Sequence, residues 1–322
     1  MTKAIYLLTG FLGSGKTTAL RELTKYFPDK KIVYIINEYS KNNVDANIIN
    51  DLKGKIEEIN YGLISCVCKL PLFEEMLTDL EETDLDVIFI EASGLADPQQ
   101  VEDTILYVSE FSGSTYEYKG AICILDAARF LVSSETNRRV LQQLALADLI
   151  ILNKADLASE ATLAEIEKRI SVMKPEIDLI KTTYSKLPFK SAEELDTALD
   201  LKDVNSNVPD VVGESRDYDL KRMIFEVNPA ATVNQIRHFL QLISDETYRI
   251  KGFCRLESEE NIILIDCVGP IVEVKEYKQK LLYEENLNLV YVIFDTHFNT
   301  AEVVADALEK IDHNYFTIQE VV

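Results

Sequence analysis

Residues Leu8–Leu20, LTGFLGSGKTTAL, decide the fold. They contain Gly10-Phe11-Leu12-Gly13-Ser14-Gly15-Lys16-Thr17, a complete GxxxxGK[ST] pattern. The apolar run Ala4–Leu8 before it reads as a buried strand and Thr18–Tyr26 after it as a helix, so the pattern sits on a strand-to-helix turn. Glycines at positions 10, 13 and 15 let the backbone curl until successive N–H groups, Gly13 through Thr17, face one anion; the helix start adds the positive end of its dipole. The expectation is a nucleoside triphosphate site in which Lys16 reaches the terminal phosphates and the Thr17 hydroxyl holds Mg²⁺.

Outward from this turn, apolar strand-like runs alternate with helical stretches. Lys31–Ile36 is a second strand, and Asn37-Glu38-Tyr39-Ser40 follows at its carboxyl end, where open α/β sheets bind ligands. The polar stretch 41–50 suits a loop that senses the nucleotide. Ile56–Ile64 reads as a short strand or ribbon, and Leu70–Thr83 as an amphipathic helix with Pro71 in its first turn. Asp86–Gly94, DVIFIEASG, is an apolar strand ending in an acid and then a glycine. Glu91 is placed to hold Mg²⁺ directly or through water, and the Gly94 N–H can approach a γ-phosphate because no side chain stands in the way.

Gly120–Leu125 is a further buried strand closed by Asp126. Helical sequence over Thr136–Ala147 leads to the strand Leu149–Leu152, and Asn153-Lys154-Ala155-Asp156 follows it. This NKxD pattern selects the base. The Asp156 carboxylate can accept from N1–H and the exocyclic amine of guanine, which adenine does not offer, while Asn153 and the Lys154 stem brace the ring. The nucleotide is therefore expected to be GTP. The alternation predicts an α/β domain over 1–202, a mostly parallel sheet flanked by helices. The polar, strand-poor stretch 203–217, DVNSNVPDVVGESRD, reads as a linker. In 218–322 the pattern changes. Strands at Lys221–Val227, Tyr248–Leu256, Asn261–Val268 and Leu289–Phe294, with helices at Thr232–Ile243 and Thr300–Ile311, predict a smaller α+β domain with an antiparallel sheet.

Composition narrows the partners. The chain has 322 residues and a formal net charge of −22, which disfavours nucleic acid and anionic lipid, since both need clustered Lys and Arg. No apolar run approaches membrane-spanning length, and the first strand occupies the place of a signal peptide, so a cytosolic location is expected. Cys66, Cys68, Cys123, Cys254 and Cys267 are an odd, scattered set that reads as free thiols; only Cys66 and Cys68 are close enough to share a role.

Taken together, GFLGSGKTT, INEYS, SCVCK, FIEASGLADP, ILDAARF, LNKAD and RIKGFCRL resemble the CobW-type GTPases, relatives of the nickel-delivery GTPases of hydrogenase and urease maturation. The resemblance covers nearly the whole chain. It implies a slow, Mg²⁺-dependent GTPase whose nucleotide state controls metal transfer or the assembly of a metal or cobalamin enzyme, with a client metalloenzyme as partner. It also allows acceleration by that partner or by nucleotide-dependent homodimerisation. By this resemblance Gly13, Ser14, Gly15, Lys16, Thr17 and Thr18 form the phosphate and magnesium site, Glu91 and Gly94 the switch, and Asn153, Lys154 and Asp156 the guanine site. Glu38 matches an acid near the γ-phosphate that is implicated in metal sensing, and Asp45 an acid of the first switch. Cys66 and Cys68 match the first two thiols of the family's CxCC metal motif.

At position 69 the family's last cysteine is replaced by Lys69, whose ammonium is no ligand and repels a cation beside it. Two thiolates and Glu38 still offer Zn²⁺ or another transition metal an incomplete shell, to be completed by water or a partner. Two other readings stay open. Cys66 and Cys68 are simply residues of a retained loop, or they are a redox pair whose thiols Lys69 makes more acidic. A second departure is Phe294-Asp295-Thr296-His297-Phe298, which stands where the family runs into an Ile-Gly-Arg turn. The expected chemistry is in-line attack of water on the γ-phosphate. Lys16, Mg²⁺ and the loop N–H groups stabilise charge, and neither an arginine finger nor a water-orienting glutamine is identifiable from sequence.

Overall fold

The computed structural model describes residues 2–37, 55–59, 70–111, 115–199, 222–278, 281, 287–294, 304, 307–310 and 313–321. The chain divides into two compact units, Met1–Gly213 and Glu214–Val322. The stretch 203–217, Glu38, Asp45, Cys66, Cys68, Lys69 and the turn at 295–298 lie outside the described residues.

Among the described residues the first unit is built on a seven-stranded sheet. Its strands are β1 (Lys3–Thr9), β2 (Ile32–Asn37), β3 (Lys55–Ile59), β4 (Val87–Glu91), β5 (Tyr116–Asp126), β6 (Leu149–Asn153) and β7 (Asp178–Lys181). The spatial order is β3-β2-β4-β1-β5-β6-β7, and every neighbouring pair is parallel. A parallel sheet is covered on both faces, which explains why β1, β2, β4 and β6 are near-continuous apolar runs. Side chains still alternate between the two layers. Tyr6, Leu8, Phe89, Ile122 and Ile151 pack on one side with Leu20 and Leu23. Ile5, Leu7, Ile88 and Ile90 pack on the other with Phe73 and Val101. Each such fully buried side chain contributes about 1.5–3 kcal/mol. Tyr6 stacks on Phe89 at 5.2 Å, and Phe27 meets Phe89 edge-on at 5.5 Å, which fixes the first helix against β1 and β4.

The helices between the strands are α1 (Lys16–Thr24), α2 (Leu70–Leu80), α3 (Pro98–Phe111), α4 (Phe130–Thr136), α5 (Arg138–Leu146), α6 (Glu160–Met173) and α7 (Ala192–Leu199). The helix read over Thr136–Ala147 is present as α5, starting at Arg138. Asn137 stands ahead of it in an extended conformation (φ −133°, ψ 111°), and its side chain caps α5 by accepting from the Arg139 N–H at 2.9 Å. An Asn side chain that satisfies an orphan N–H competes with helix continuation, so α5 stays separate from α4, a helix the sequence pattern did not reveal.

The second unit carries a six-stranded sheet in the order β11-β10-β9-β12-β8-β13. Its strands are β8 (Arg222–Val227), β9 (Thr247–Cys254), β10 (Ile262–Val268), β11 (Ile271–Tyr277), β12 (Leu289–Phe294) and β13 (Phe316–Val321), all neighbours antiparallel. Helix α8 (Val233–Ile243) starts at a capping box of Thr232 and Gln235. It buries Ile236, Phe239, Leu240 and Ile243 against one face of the sheet, with Phe239 stacked 4.4 Å from Phe316. The sequence reading missed β11 and β13, the two edge strands. β11 buries Val274 alone and exposes Glu273, Lys275 and Glu276, as an edge does, and follows a tight turn at Gly269-Pro270.

Candidate functional site: a phosphate loop bonded to a base loop

The carboxyl ends of β1, β4, β5 and β6 converge, as an open parallel sheet requires of its ligand-binding edge. From the end of β1 the chain turns through residues 10–15 into α1, whose N-cap is Gly15 in the left-handed region at φ 104°. No side chain caps this helix, so its first-turn N–H groups face the loop and are available to an anion. A side chain at position 15 would be strained by the backbone and would overlap Asn153 Nδ2. Ser14 Oγ is buried and makes no hydrogen bond with the described residues. An unpartnered buried hydroxyl in the loop that opens an uncapped helix is consistent with a phosphate oxygen as its partner. Thr18 is the third residue of α1 and half-buried.

Lys16 is 7% exposed, and its ammonium donates to Gly10 O at 3.0 Å and Phe11 O at 3.3 Å. The loop carbonyls thus hold the lysine beside the anion cradle. Thr17 Oγ1 donates to Glu91 Oε1 at 3.0 Å, and Glu91 is 3% exposed at the end of β4. A hydroxyl and a carboxylate side by side beneath a phosphate cradle are hard oxygen donors, the set that fits Mg²⁺. Beyond Glu91 the chain passes under the phosphate loop. At Gly94 an added Cβ would lie 2.5 Å from Leu12 N, so only glycine lets these two backbones approach.

The base motif is bonded directly to the phosphate loop. Asn153 Nδ2 donates to Ser14 O at 2.9 Å, and Asn153 Oδ1 accepts from the Ser185 N–H at 2.8 Å. Lys154, left-handed at φ 58°, sends its ammonium to Gly13 O at 2.8 Å and Asp126 Oδ2 at 2.7 Å. Asp156 lies in a short 3₁₀ turn, Ala155–Leu157, where Oδ1 accepts from Thr183 Oγ1 at 3.0 Å. Tyr184 and Ser185 both have positive φ, 54° and 52°, strain that the surrounding hydrogen bonds hold in place.

The structure brings together Gly13, Ser14, Gly15, Lys16, Thr17, Asn153 and Lys154 through these contacts. Glu91 joins them through Thr17, and Gly94 through Leu12. It adds Asp126, Thr183 and Ser185, which sequence reasoning did not place in the site. The signal for Asp126 was present, since it closes β5 as Glu91 closes β4; Thr183 and Ser185 belong to no recognisable motif. Among the described residues no group of three or more His, Cys, Asp or Glu side chains is placed to hold a metal ion. Cys123 lies under the loop on β5 wholly buried, and burial pushes its thiol up to about 12, which makes it inert.

Residues 4–181 match the family model described as CobW/HypB/UreG, nucleotide-binding domain. The chain is 25% identical over 312 residues to zinc-regulated GTPase metalloprotein activator 1 of Dictyostelium discoideum, covering 80% of this chain and 64% of that protein. It is 34% identical over 152 residues to the zinc chaperone YeiR of Escherichia coli, covering 47% of this chain and 46% of YeiR. It is 26% identical over 278 residues to the zinc chaperone YjiA of the same organism, covering 82% and 86%. The chain thus spans less than two thirds of the first two of these relatives and most of the third. With a phosphate loop, an acid-ended β4 and a base loop set as such a domain needs them, the chain belongs to the CobW/HypB/UreG family.

Proposed function

We propose that this protein is a Mg²⁺-dependent GTPase that acts as a metallochaperone, delivering a transition metal to a client metalloenzyme. The observation that carries the GTPase reading is the direct bonding of Asn153 and Lys154 to the backbone of Ser14 and Gly13. It sets the base-reading carboxylate of Asp156 and the phosphate loop in one rigid frame, so a guanine nucleotide can be held at both ends. In this reading Gly13, Ser14, Gly15 and Thr18 surround the phosphates. Lys16 leaves the loop carbonyls for the β- and γ-phosphates and stabilises the charge that develops on them as water attacks in line. Thr17 and Glu91 hold Mg²⁺, which when bound neutralises charge between the β- and γ-phosphates. Gly94 contacts the γ-phosphate through its N–H and reports its presence. Residues 1–202 form the GTPase domain, 203–217 a linker and 218–322 the second domain.

The metal reading rests on family membership, on the zinc chaperones among the relatives and on Cys66, Cys68 and Glu38 of the sequence. A second reading is favoured by Lys69. Here the protein is a GTP-switched chaperone or activator of a metal- or cobalamin-dependent enzyme, with little metal affinity of its own. Both place the protein in the cytosol and allow a nucleotide-dependent homodimer.

One experiment separates them. Zn²⁺, Co²⁺ and Ni²⁺ are titrated into the full chain with and without a non-hydrolysable GTP analogue, beside the Cys66→Ser/Cys68→Ser variant, and GTP turnover is followed in parallel. Nucleotide-dependent metal binding that is lost in the double variant supports the metallochaperone. Absence of metal binding by either protein leaves the second reading, equal metal binding by the variant counts against Cys66 and Cys68 as the site, and absence of GTP hydrolysis sinks both readings.

A further inference from the structure

Helix α5 grips the segment after β4 at two points one helical turn apart. Arg139 and Gln143 stand at i and i+4 and so share a face. A guanidinium nitrogen of Arg139 lies 3.1 Å from Asp97 Oδ2, and Gln143 Nε2 donates to Gly94 O at 3.0 Å. Gln143 is fully buried, yet its Oε1 accepts no hydrogen bond from the described residues. A buried amide satisfied on one side only is a poor structural anchor, because an apolar side chain of the same length would pack there without the desolvation penalty.

The residue it holds is the one whose Cα packs against Leu12 of the phosphate loop. The Gly94–Leu95 peptide directs its C=O to Gln143 Nε2, while its N–H, that of Leu95, has only a long 3.5 Å bond to Ser93 Oγ. The Gly94 Cα lies so close to Leu12 that no Cβ fits between them. Gln143 therefore fixes the direction of the Gly94 carbonyl from a buried position on α5. Asp97, held by Arg139, fixes the same segment three residues further on.

We propose that Gln143 is a positioning residue for the Gly94 switch, a latch on the Gly94 carbonyl through which the state of the γ-phosphate contact is passed to α5. The inference rests on the reading of Gly94 as the γ-phosphate contact and deepens it. The helix that receives the signal leads through Ala147 and Asp148 into β6, so it connects the switch to the strand that carries Asn153 and Lys154.

The test compares full-length wild type with Gln143→Met, which keeps the length and volume and removes both polar groups. It measures GDP affinity, the KM and kcat for GTP with Mg²⁺, and thermal stability. The expected result is a kcat lower by about tenfold, with KM and GDP affinity within about twofold of wild type. An unchanged kcat overturns the proposal. So does a parallel loss of GDP affinity, kcat and stability, which is the mark of a merely structural side chain. A second measurement stands on wild type alone. Amide hydrogen exchange with GDP and with a non-hydrolysable GTP analogue should change together in 94–97 and 138–146, and a change confined to 94–97 also overturns the latch. Wild type that neither binds nor hydrolyses GTP would remove the underlying GTPase reading, a result distinct from an active wild type matched by its variant.

Discussion

At the scale of single residues, the site is a set of side chains that already satisfy one another's backbone partners. Among the described residues the Asp156 carboxylate accepts from the Thr183 hydroxyl alone, at 3.0 Å. An Asn there retains an acceptor for Thr183 but replaces the second acceptor by a donor. Asp156→Asn should therefore keep the fold, weaken GTP by about two orders of magnitude and favour xanthosine triphosphate, whose carbonyl can accept from the new amide. Competition binding with both nucleotides checks this, and equal GTP affinity in the variant would falsify the guanine assignment. The residues legible in the sequence were those in contiguous patterns, Gly10–Thr17, Glu91–Gly94 and Asn153–Asp156. Ser185 and Gln143 were not, because each acts on a partner far along the chain, Gln143 on Gly94 and Ser185 on Asn153; Asp126 was visible as the acid that closes β5, but not its pairing with Lys154. No local pattern records such a pairing; only the sheet order creates it.

At the scale of elements, caps and edges account for the differences between sequence and structure. Asn137 separates α4 from α5 and holds the N-terminus of the helix that carries Arg139 and Gln143. Asn137→Ala removes an N-cap and should lower stability by about 1 kcal/mol, read as a shifted denaturant midpoint with unchanged slope. The strands of the first unit were readable because burial on both faces makes them uninterrupted apolar runs. β11 and β13 were hidden because edge strands carry charges on one face and present no such run.

The far ends of α3, α5, α6 and β5 enclose a buried polar group. Tyr118 OH donates to Glu102 Oε1 at 2.8 Å, Asp148 Oδ2 accepts from the Ala121 N–H at 2.7 Å, and the Lys174 ammonium caps Ala145 O and Ala147 O. Burial raises Glu102 and Asp148 above the ordinary carboxylate range and lowers Lys174. An acid raised in the folded state holds its proton more tightly than in the unfolded chain. The stability this gives is complete below the unfolded value and is lost as pH rises through the folded one. Glu102→Gln keeps the acceptor for Tyr118 and removes the buried charge. Thermal unfolding of the variant should vary less with pH than wild type across the window just above the ordinary Glu value, with Tm at neutral pH equal or higher. A steeper dependence would show that the charge is stabilising.

At the scale of the whole molecule, a net charge of −22 keeps copies and polyanions apart, while the nucleotide site concentrates its cations, Lys16 and Lys154, on backbone carbonyls inside the loop. No helix among the described residues is long and apolar enough to cross a membrane. The two sheets differ in kind. The second unit is antiparallel, and several of its neighbours, such as β10 and β11, are also close in sequence. In the first unit β1 lies between β4 and β5, whose residues begin at Val87 and Tyr116. β1 therefore precedes both of its partners in the chain by many residues. During translation KAIYLLT has no lateral partner until β4 emerges and no second one until Asp126 has left the ribosome. At roughly 5–20 residues per second the second partner arrives after about 6–25 s. For that interval the nascent chain carries an exposed, largely apolar β-former directly ahead of its phosphate loop, a segment open to pairing with other nascent chains. Yield of the folded protein should therefore respond to elongation rate and to chaperones that shelter short apolar segments, independently of how stable the finished sheet is.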